Sequence, residues 1–466
     1  MQQQSAIRSD WPNRAPIPME CDAPFLKISG ELPRELSGVL YRNGPNPQFD
    51  APGAHWFVGD GMLHAFHLEN GRASYRNRWV RTPKWQAEHD AGRALFGGFG
   101  RKLADAPGTL TDGGVANTNI IFHSGRLLAL EEAHLPTEIE PGSLATRGYC
   151  DFAGRVAGPV TAHPKIDPLT GEMVFFGYNA SGPFTPTLSF GAINASGKVT
   201  RFGRFEAPYA SMVHDFIVTE NHMLFPVLPI TGSLERAMAG QPAYAWEPDK
   251  GTHVGVMKRG GSADDIVWFR GENCYVFHVM NAWEDGSRII ADVMQFEEAP
   301  LFPHPDGRPT DPNKSRAKFC RWTFDLAGNS DRFDQTYLDD LTGEFPRIDD
   351  RRAGLKSTHG WYACANPDLP TFGALSGIAH VNGVGKRLGK YHLPAGDTIS
   401  EPVFVERGKD AAEGDGWLLA VVYRARENCS DLAVFNATDV EAGPIALVHL
   451  AHRVPDGFHG NWVGAA

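Results

Sequence analysis

The chain of 466 residues lacks any apolar run long enough to cross a bilayer. Its longest, Trp417 to Tyr423, falls far short of the roughly 20 residues a membrane helix needs. The opening MQQQSAIRSDWPN has no apolar core of the signal-peptide kind, so no export signal is expected. Positive charge is in deficit: 44 Lys and Arg against 55 Asp and Glu give a formal charge of -11. Such a field repels phosphate backbones, which argues against nucleic acid as a partner. The cysteines, Cys21, Cys150, Cys274, Cys320, Cys364 and Cys429, are scattered, with no CxxC and no short-spaced metal cluster. They read as reduced thiols of a cytoplasmic protein. Also absent are GxSxG, HExxH, a P-loop and a GxGxxG after a strand. Gly97-Gly98-Phe99-Gly100 and Gly383-Val384-Gly385 lack the required flanking pattern and read as loops. Hydrolase, NTPase and dinucleotide-binding readings lose ground accordingly.

What is present is a chain 42% hydrophobic and 11% aromatic with 51 Gly and 34 Pro, too apolar for disorder and rich in turn formers. Its repeating local pattern is strand, tight turn, strand. Met62 to Leu68 alternates, Asn70-Gly71 supplies a positive-φ turn, and Ala73 to Val80 returns. Similar hairpins are predicted around Ser124-Gly125, Thr170-Gly171 and Glu220-Asn221, in AINASGKVTRFGRF and in WLLAVVYRARENCSDLAVFN. Helical periodicity is confined to short pieces, chiefly Lys84 to Leu95 and Leu234 to Ala239. No Gly/Ser or Pro linker separates halves, so one all-β unit over residues 1–466 is expected. A β-propeller accommodates many short antiparallel strands with few open edges, and a tandem of sandwiches is its competitor. Neither WD nor kelch repeats are present to set a blade count.

Among 18 histidines, local context singles out four: His163 in Thr161-Ala162-His163-Pro164, His214 in Val213-His214-Asp215-Phe216, His278 in Phe277-His278-Val279, and His459 in Phe458-His459-Gly460. Any one alone is most simply a core or strand-end imidazole bonded to a carbonyl. Four together would need partners for eight ring nitrogens, and a shared metal ion satisfies four of these at once. Their separations, about 50, 65 and 180 residues, suit ligands donated by different sheets. Imidazole suits Fe, Zn, Cu and Ni, and the residues alone do not choose among them. Carboxylates that orient such rings through the distal N–H would come from Glu132, Glu344 and Glu401, each set beside apolar residues.

Eight motifs, in order, carry a resemblance to a known family. They are Tyr41-Arg42-Asn43-Gly44-Pro45-Asn46-Pro47, Gly59-Asp60-Gly61-Met62-Leu63-His64, Ala116-Asn117-Thr118-Asn119, Ala162-His163-Pro164, His214-Asp215-Phe216, Glu344-Phe345-Pro346-Arg347, Glu401-Pro402-Val403-Phe404 and Phe458-His459-Gly460. The chain resembles the carotenoid cleavage oxygenases along almost its whole length. That resemblance implies a seven-bladed β-propeller capped by loops and short helices, with a non-haem Fe(II) on its axis. It implies His163, His214, His278 and His459 as ligands, with Glu132, Glu344 and Glu401 behind them. Thr118 matches a small side chain beside a vacant iron position. The implied reaction inserts dioxygen across an alkene to give two carbonyl products, with no organic cofactor.

Stilbene-cleaving members hold a phenolic hydroxyl with a tyrosine and a lysine, and the matching positions here are Phe99 and Glu131. The expected substrate is therefore a small hydrophobic polyene, a carotenoid or apocarotenoid, with a stilbene or phenylpropene as the alternative. A ligand-binding or isomerase member of the same family is the rival of another class, and it would consume no dioxygen. The stretches Leu95 to Phe99 and Leu234 to Trp246 are candidates for peripheral contact with the inner membrane, although neither has flanking basic anchors and covering the core is the simpler role.

Overall fold

Asn70 and Gly71, at φ 51° and 71°, join strands Gly61–Glu69 and Arg72–Trp79, so the first predicted hairpin forms where the positive-φ pair stands. The computed structural model describes residues 12–51, 54–98, 101–369 and 374–465. All the other predicted hairpins except the Glu220-Asn221 turn recur on the same principle. Ser124-Gly125 joins Asn119–His123 to Arg126–Leu130, and Asn428 at φ 53° closes Gly416–Arg424 onto Cys429–Asn436. The fold is mostly β, with every named strand pair antiparallel.

The two predicted helices form but end early. Thr82 caps Pro83–Ala91, its hydroxyl accepting from Trp85 N, and Gly92 at φ 64° stops the helix before Leu95. The residues beyond are diverted because the buried Glu88 carboxylate accepts from Leu95 N and Phe96 N, at 2.8 and 3.1 Å. Phe96–Gly97 then pairs with Arg101–Lys102 instead of extending the helix. The second helix is Leu234–Met238. Among the described residues no helix is long and apolar enough to cross a membrane.

The chain divides into two compact units, one of residues 1–153 with 393–466 and one of residues 154–392. In the first, the terminal strand Gly460–Gly464 pairs with Gly38–Pro45 and becomes the edge of a five-stranded sheet. Its core joins Leu40, Phe66 and Tyr75 to Trp417, Leu432 and Val448, all nearly inaccessible. Burying one such large side chain stabilises by about 1.5–3 kcal/mol. The second unit holds a four-stranded sheet that begins at edge strand Lys165–Ile166, another that begins at Ile217–Val218, and a seven-stranded sheet that begins at Tyr275–Asp285. The six cysteines form no disulfide.

Candidate functional site

Each histidine singled out in the sequence lies on, or up to three residues before, an edge strand of its own sheet. His163 precedes Lys165–Ile166, His214 precedes Ile217–Val218, His278 lies inside Tyr275–Asp285, and His459 precedes Gly460–Gly464. An edge strand leaves one side of its backbone without a ladder partner, so residues there are free to serve a site instead of a sheet. At His278 the ladder with Arg288–Phe296 shifts register between Val276 and Val279, the kind of bulge that re-aims a side chain.

In the unit of residues 154–392, three imidazoles converge. His163 Nε2 stands 3.1 Å from His214 Nε2. The ring centroids lie 4.7 Å apart for His163 and His214, and 5.2 Å for each of these with His278. Two imidazole nitrogens at such a distance share either a proton or a metal ion. The Nδ1 of His278 is 2.5 Å from Glu344 Oε2, which leaves Nε2 as its ligating nitrogen. Glu344 reaches this position through a backbone irregularity. Register is lost between Glu344 and Arg347, and Phe345 sits at φ 56°, a conformation that a bulky residue rarely adopts. The Glu344 carboxylate also accepts from Phe345 N at 2.6 Å, and the Phe345 ring stacks on His278 at 5.2 Å.

In the other unit, His459 Nδ1 lies 2.9 Å from Glu401 Oε1, and Glu401 Oε2 accepts from Gly460 N at 2.9 Å. His459 N donates to Thr118 O, and Thr118 N to Leu130 O, so Thr118 is tied to the ligand candidate through the backbone. Its hydroxyl donates to Asn117 Oδ1 at 3.0 Å. His163, His214 and His278 each offer one ring nitrogen, and these nitrogens lie within 4.8 Å of one another. Imidazole nitrogens backed by a carboxylate on Nδ1, as at His278 by the half-buried Glu344 and at His459 by the buried Glu401, suit a divalent first-row ion.

Glu132 is half-buried in the bend after Arg126–Leu130. Phe99 lies outside the described residues. Glu131 is buried, and its Oε1 accepts from Val115 N and Ala116 N at 2.7 and 3.1 Å and faces His134 Nδ1 at 3.2 Å. Burial works against charge on both partners, yet their mutual attraction outweighs it. The Glu131 carboxyl is held below its ordinary range, and His134, close also to Asp112, is pushed up to about 9. A cation and a tyrosine therefore do stand near Glu131, since the Tyr149 ring stacks on His134 with centroids 6.3 Å apart.

Asn43 is a residue whose role only the structure reveals. Its Nδ2 donates to Ala116 O and Asn119 O, at 2.8 and 2.9 Å, while its backbone pairs with Phe458 N and His459 O. It thus clamps the Thr118 loop to the His459 segment. The available signal was an amide next to Arg42 at the end of an apolar run, which is tolerated in a core only when its bonds are satisfied.

The profile described as retinal pigment epithelial membrane protein (RPE65) matches residues 14–464. Isoeugenol monooxygenase of Pseudomonas nitroreducens is 40% identical over 459 residues, covering 96% of each chain. The crystal structure of lignostilbene dioxygenase from Pseudomonas brassicacearum superposes with a TM-score of 0.95 over 100% of both chains, at 33% identity. Cobalt-substituted apocarotenoid oxygenase of Synechocystis gives a TM-score of 0.84 over 98% of each, at 29% identity. By these whole-chain matches the protein belongs to the RPE65, or carotenoid cleavage oxygenase, family and is an alkene-cleaving dioxygenase.

Proposed function

We propose that the chain cleaves the side-chain double bond of a small aryl alkene, a phenylpropene or stilbene, with Fe(II) held by His163, His214, His278 and His459. The convergence of three imidazoles from three sheets is the observation that carries the metal reading. The substrate reading is supported by the 40% identity to an enzyme named for isoeugenol and the TM-score of 0.95 to one named for lignostilbene. The same sheets are proposed to be blades of one seven-bladed propeller over residues 1–466, in keeping with those whole-chain matches.

When bound, a ferrous ion supplies the redox chemistry that lets dioxygen react with a closed-shell alkene. The protein's own residues prepare the place. Glu344 and Glu401 accept the Nδ1 protons of His278 and His459, fixing the tautomer that presents Nε2, and Glu132 is proposed to serve a third ring. Phe277, 5.2 Å from His214, and Phe345, stacked on His278, cover these rings with apolar surface and keep water from them. Thr118 is proposed to limit what binds beside the metal. One alkene and one dioxygen give two carbonyl products with no proton to move, so no general acid or base is required.

The inference of a polyene substrate rested on the absence of phenol-binding groups at Phe99 and Glu131. Glu131 has its carboxylate committed to the 115–116 backbone and to a cationic His134, so its acidity is no barrier to a phenol. Cleavage of a carotenoid or apocarotenoid is kept as the second reading because of the likeness to apocarotenoid oxygenase. Of the stretches considered for peripheral membrane contact, Leu95 and Phe96 are buried whereas Leu234 and Met238 are exposed; only the second is proposed for that role. Iron-loaded protein given isoeugenol, resveratrol and an apocarotenal under labelled dioxygen is expected to convert an aryl alkene into two carbonyls, each carrying one labelled oxygen. Turnover of the apocarotenal alone would overturn the aryl-alkene reading, and carbonyls without label would overturn the dioxygenase route.

A further inference from the structure

The three imidazoles of residues 154–392 come from three sheets, and among the described residues no named strand pair joins those sheets. Backbone ladders therefore do not set the rings' mutual placement. One side chain spans the gap. Asp215, directly after His214, is buried, with 3% of its side chain exposed. Its Oδ1 accepts from Phe216 N at 2.8 Å and from Lys165 Nζ at 2.7 Å, and its Oδ2 accepts from Val279 N at 2.9 Å. Lys165 lies two residues after His163, and Val279 follows His278. A single carboxylate thus grips the chain within two residues of each of three ligand candidates. The Val279 amide is available because the ladder of Tyr275–Asp285 slips at that residue.

We propose that Asp215, with Lys165 as its counter-ion, is the positioning residue that sets His163, His214 and His278 in register for a metal. The proposal rests on the ligand reading above. A buried carboxylate is tolerated only when its charge is paired and its lone pairs are filled, and here three donors on three segments do both. An asparagine of the same shape cannot reproduce this. Whichever way its amide turns, the NH2 group meets either the Val279 N–H or the Phe216 N–H and Lys165 ammonium, donor against donor. The segment so repelled moves, and its imidazole moves with it.

The test is cobalt(II) titration of the metal-free full chain against a competing chelator, with the absorption spectrum of bound cobalt recorded. The proteins are wild type, H278A, D215N, K165M and K165R, each with urea unfolding of the metal-free form. D215N is expected to bind cobalt about 10–100-fold more weakly, with an altered spectrum reporting changed coordination. K165M should lose affinity in the same direction, and K165R should recover it. Should D215N not fold, the contrast between K165M and K165R decides. Wild-type affinity and spectrum in D215N, or in K165M where that contrast decides, overturns the proposal. If H278A also binds like wild type, the ligand assignment is what fails, and this inference falls with it.

Discussion

Replacing Glu401 by Gln separates the proposed metal site from the fold. The carboxylate accepts two hydrogen bonds at 2.9 Å, one from the His459 ring and one from Gly460 N, and only 3% of the side chain is exposed. Glutamine brings one acceptor and one NH2 group. Gly460 N–H cannot reverse its polarity, so the carbonyl oxygen must stay with it, and the NH2 group then faces His459 Nδ1. The ring adapts by moving its proton from Nδ1 to Nε2. Both of these bonds persist in the metal-free protein, but Nε2 now carries the proton and cannot act as a ligand. A charge-assisted hydrogen bond contributes about 1.5–3 kcal/mol, and each 1.4 kcal/mol is a factor of ten. Metal affinity is therefore expected to fall about 10–100-fold, in line with what loss of such outer partners usually costs. Unfolding of the metal-free protein should change by less than about 1 kcal/mol, since the bonds to His459 Nδ1 and Gly460 N are both kept. Competitive cobalt titration reads the first quantity and urea unfolding the second. Affinity within threefold of wild type, or a metal-free protein destabilised as much as its metal binding, would refute the tautomer account.

Two further outcomes test the scaffold. Lys84 Nζ lies 2.7 Å from both Asp60 and Glu88, and no more than 7% of any of the three side chains is exposed. Lys84→Met leaves two buried carboxylates without a cation and is expected to cost about 3–5 kcal/mol in urea unfolding; a loss below about 1 kcal/mol would refute the assignment. His134 is raised from 6.5 to about 9 in the folded protein, so its stabilisation is complete below pH 6.5 and is lost as pH climbs through 9. The urea midpoint of wild type should decline over that range relative to His134→Gln, and parallel curves would show that the pair with Glu131 does not govern it.

Local structure was legible where short-range chemistry decides it. Asn70-Gly71, Ser124-Gly125 and Asn428 stand at positive φ because the flanking alternation and the turn residues agree. The first helix exceeded its true length in the prediction because periodicity does not register that a buried Glu88 will draw Leu95 N and Phe96 N into another element. The candidate ligand histidines stood out because an imidazole amid apolar residues is costly without a partner, and the proposed carboxylates Glu344 and Glu401 because an acid in such a setting is costlier still. The partner of Glu131 was not legible in the same way: His134, which balances it, is only three residues away, but nothing in the spacing says that the two side chains turn toward each other.

By itself the sequence determined the β class, the positions of the turns, and the identity of the histidines and of the motifs that mark the family, since each depends on a few neighbouring residues or on residue type alone. The tertiary structure alone decided that Asp215 reaches Lys165 and Val279, that Asn43 clamps the Thr118 loop to His459, and that Phe345 bends Glu344 onto His278. These are contacts between segments that are distant along the chain, and their partners are chosen by how sheets pack, a choice no local pattern encodes.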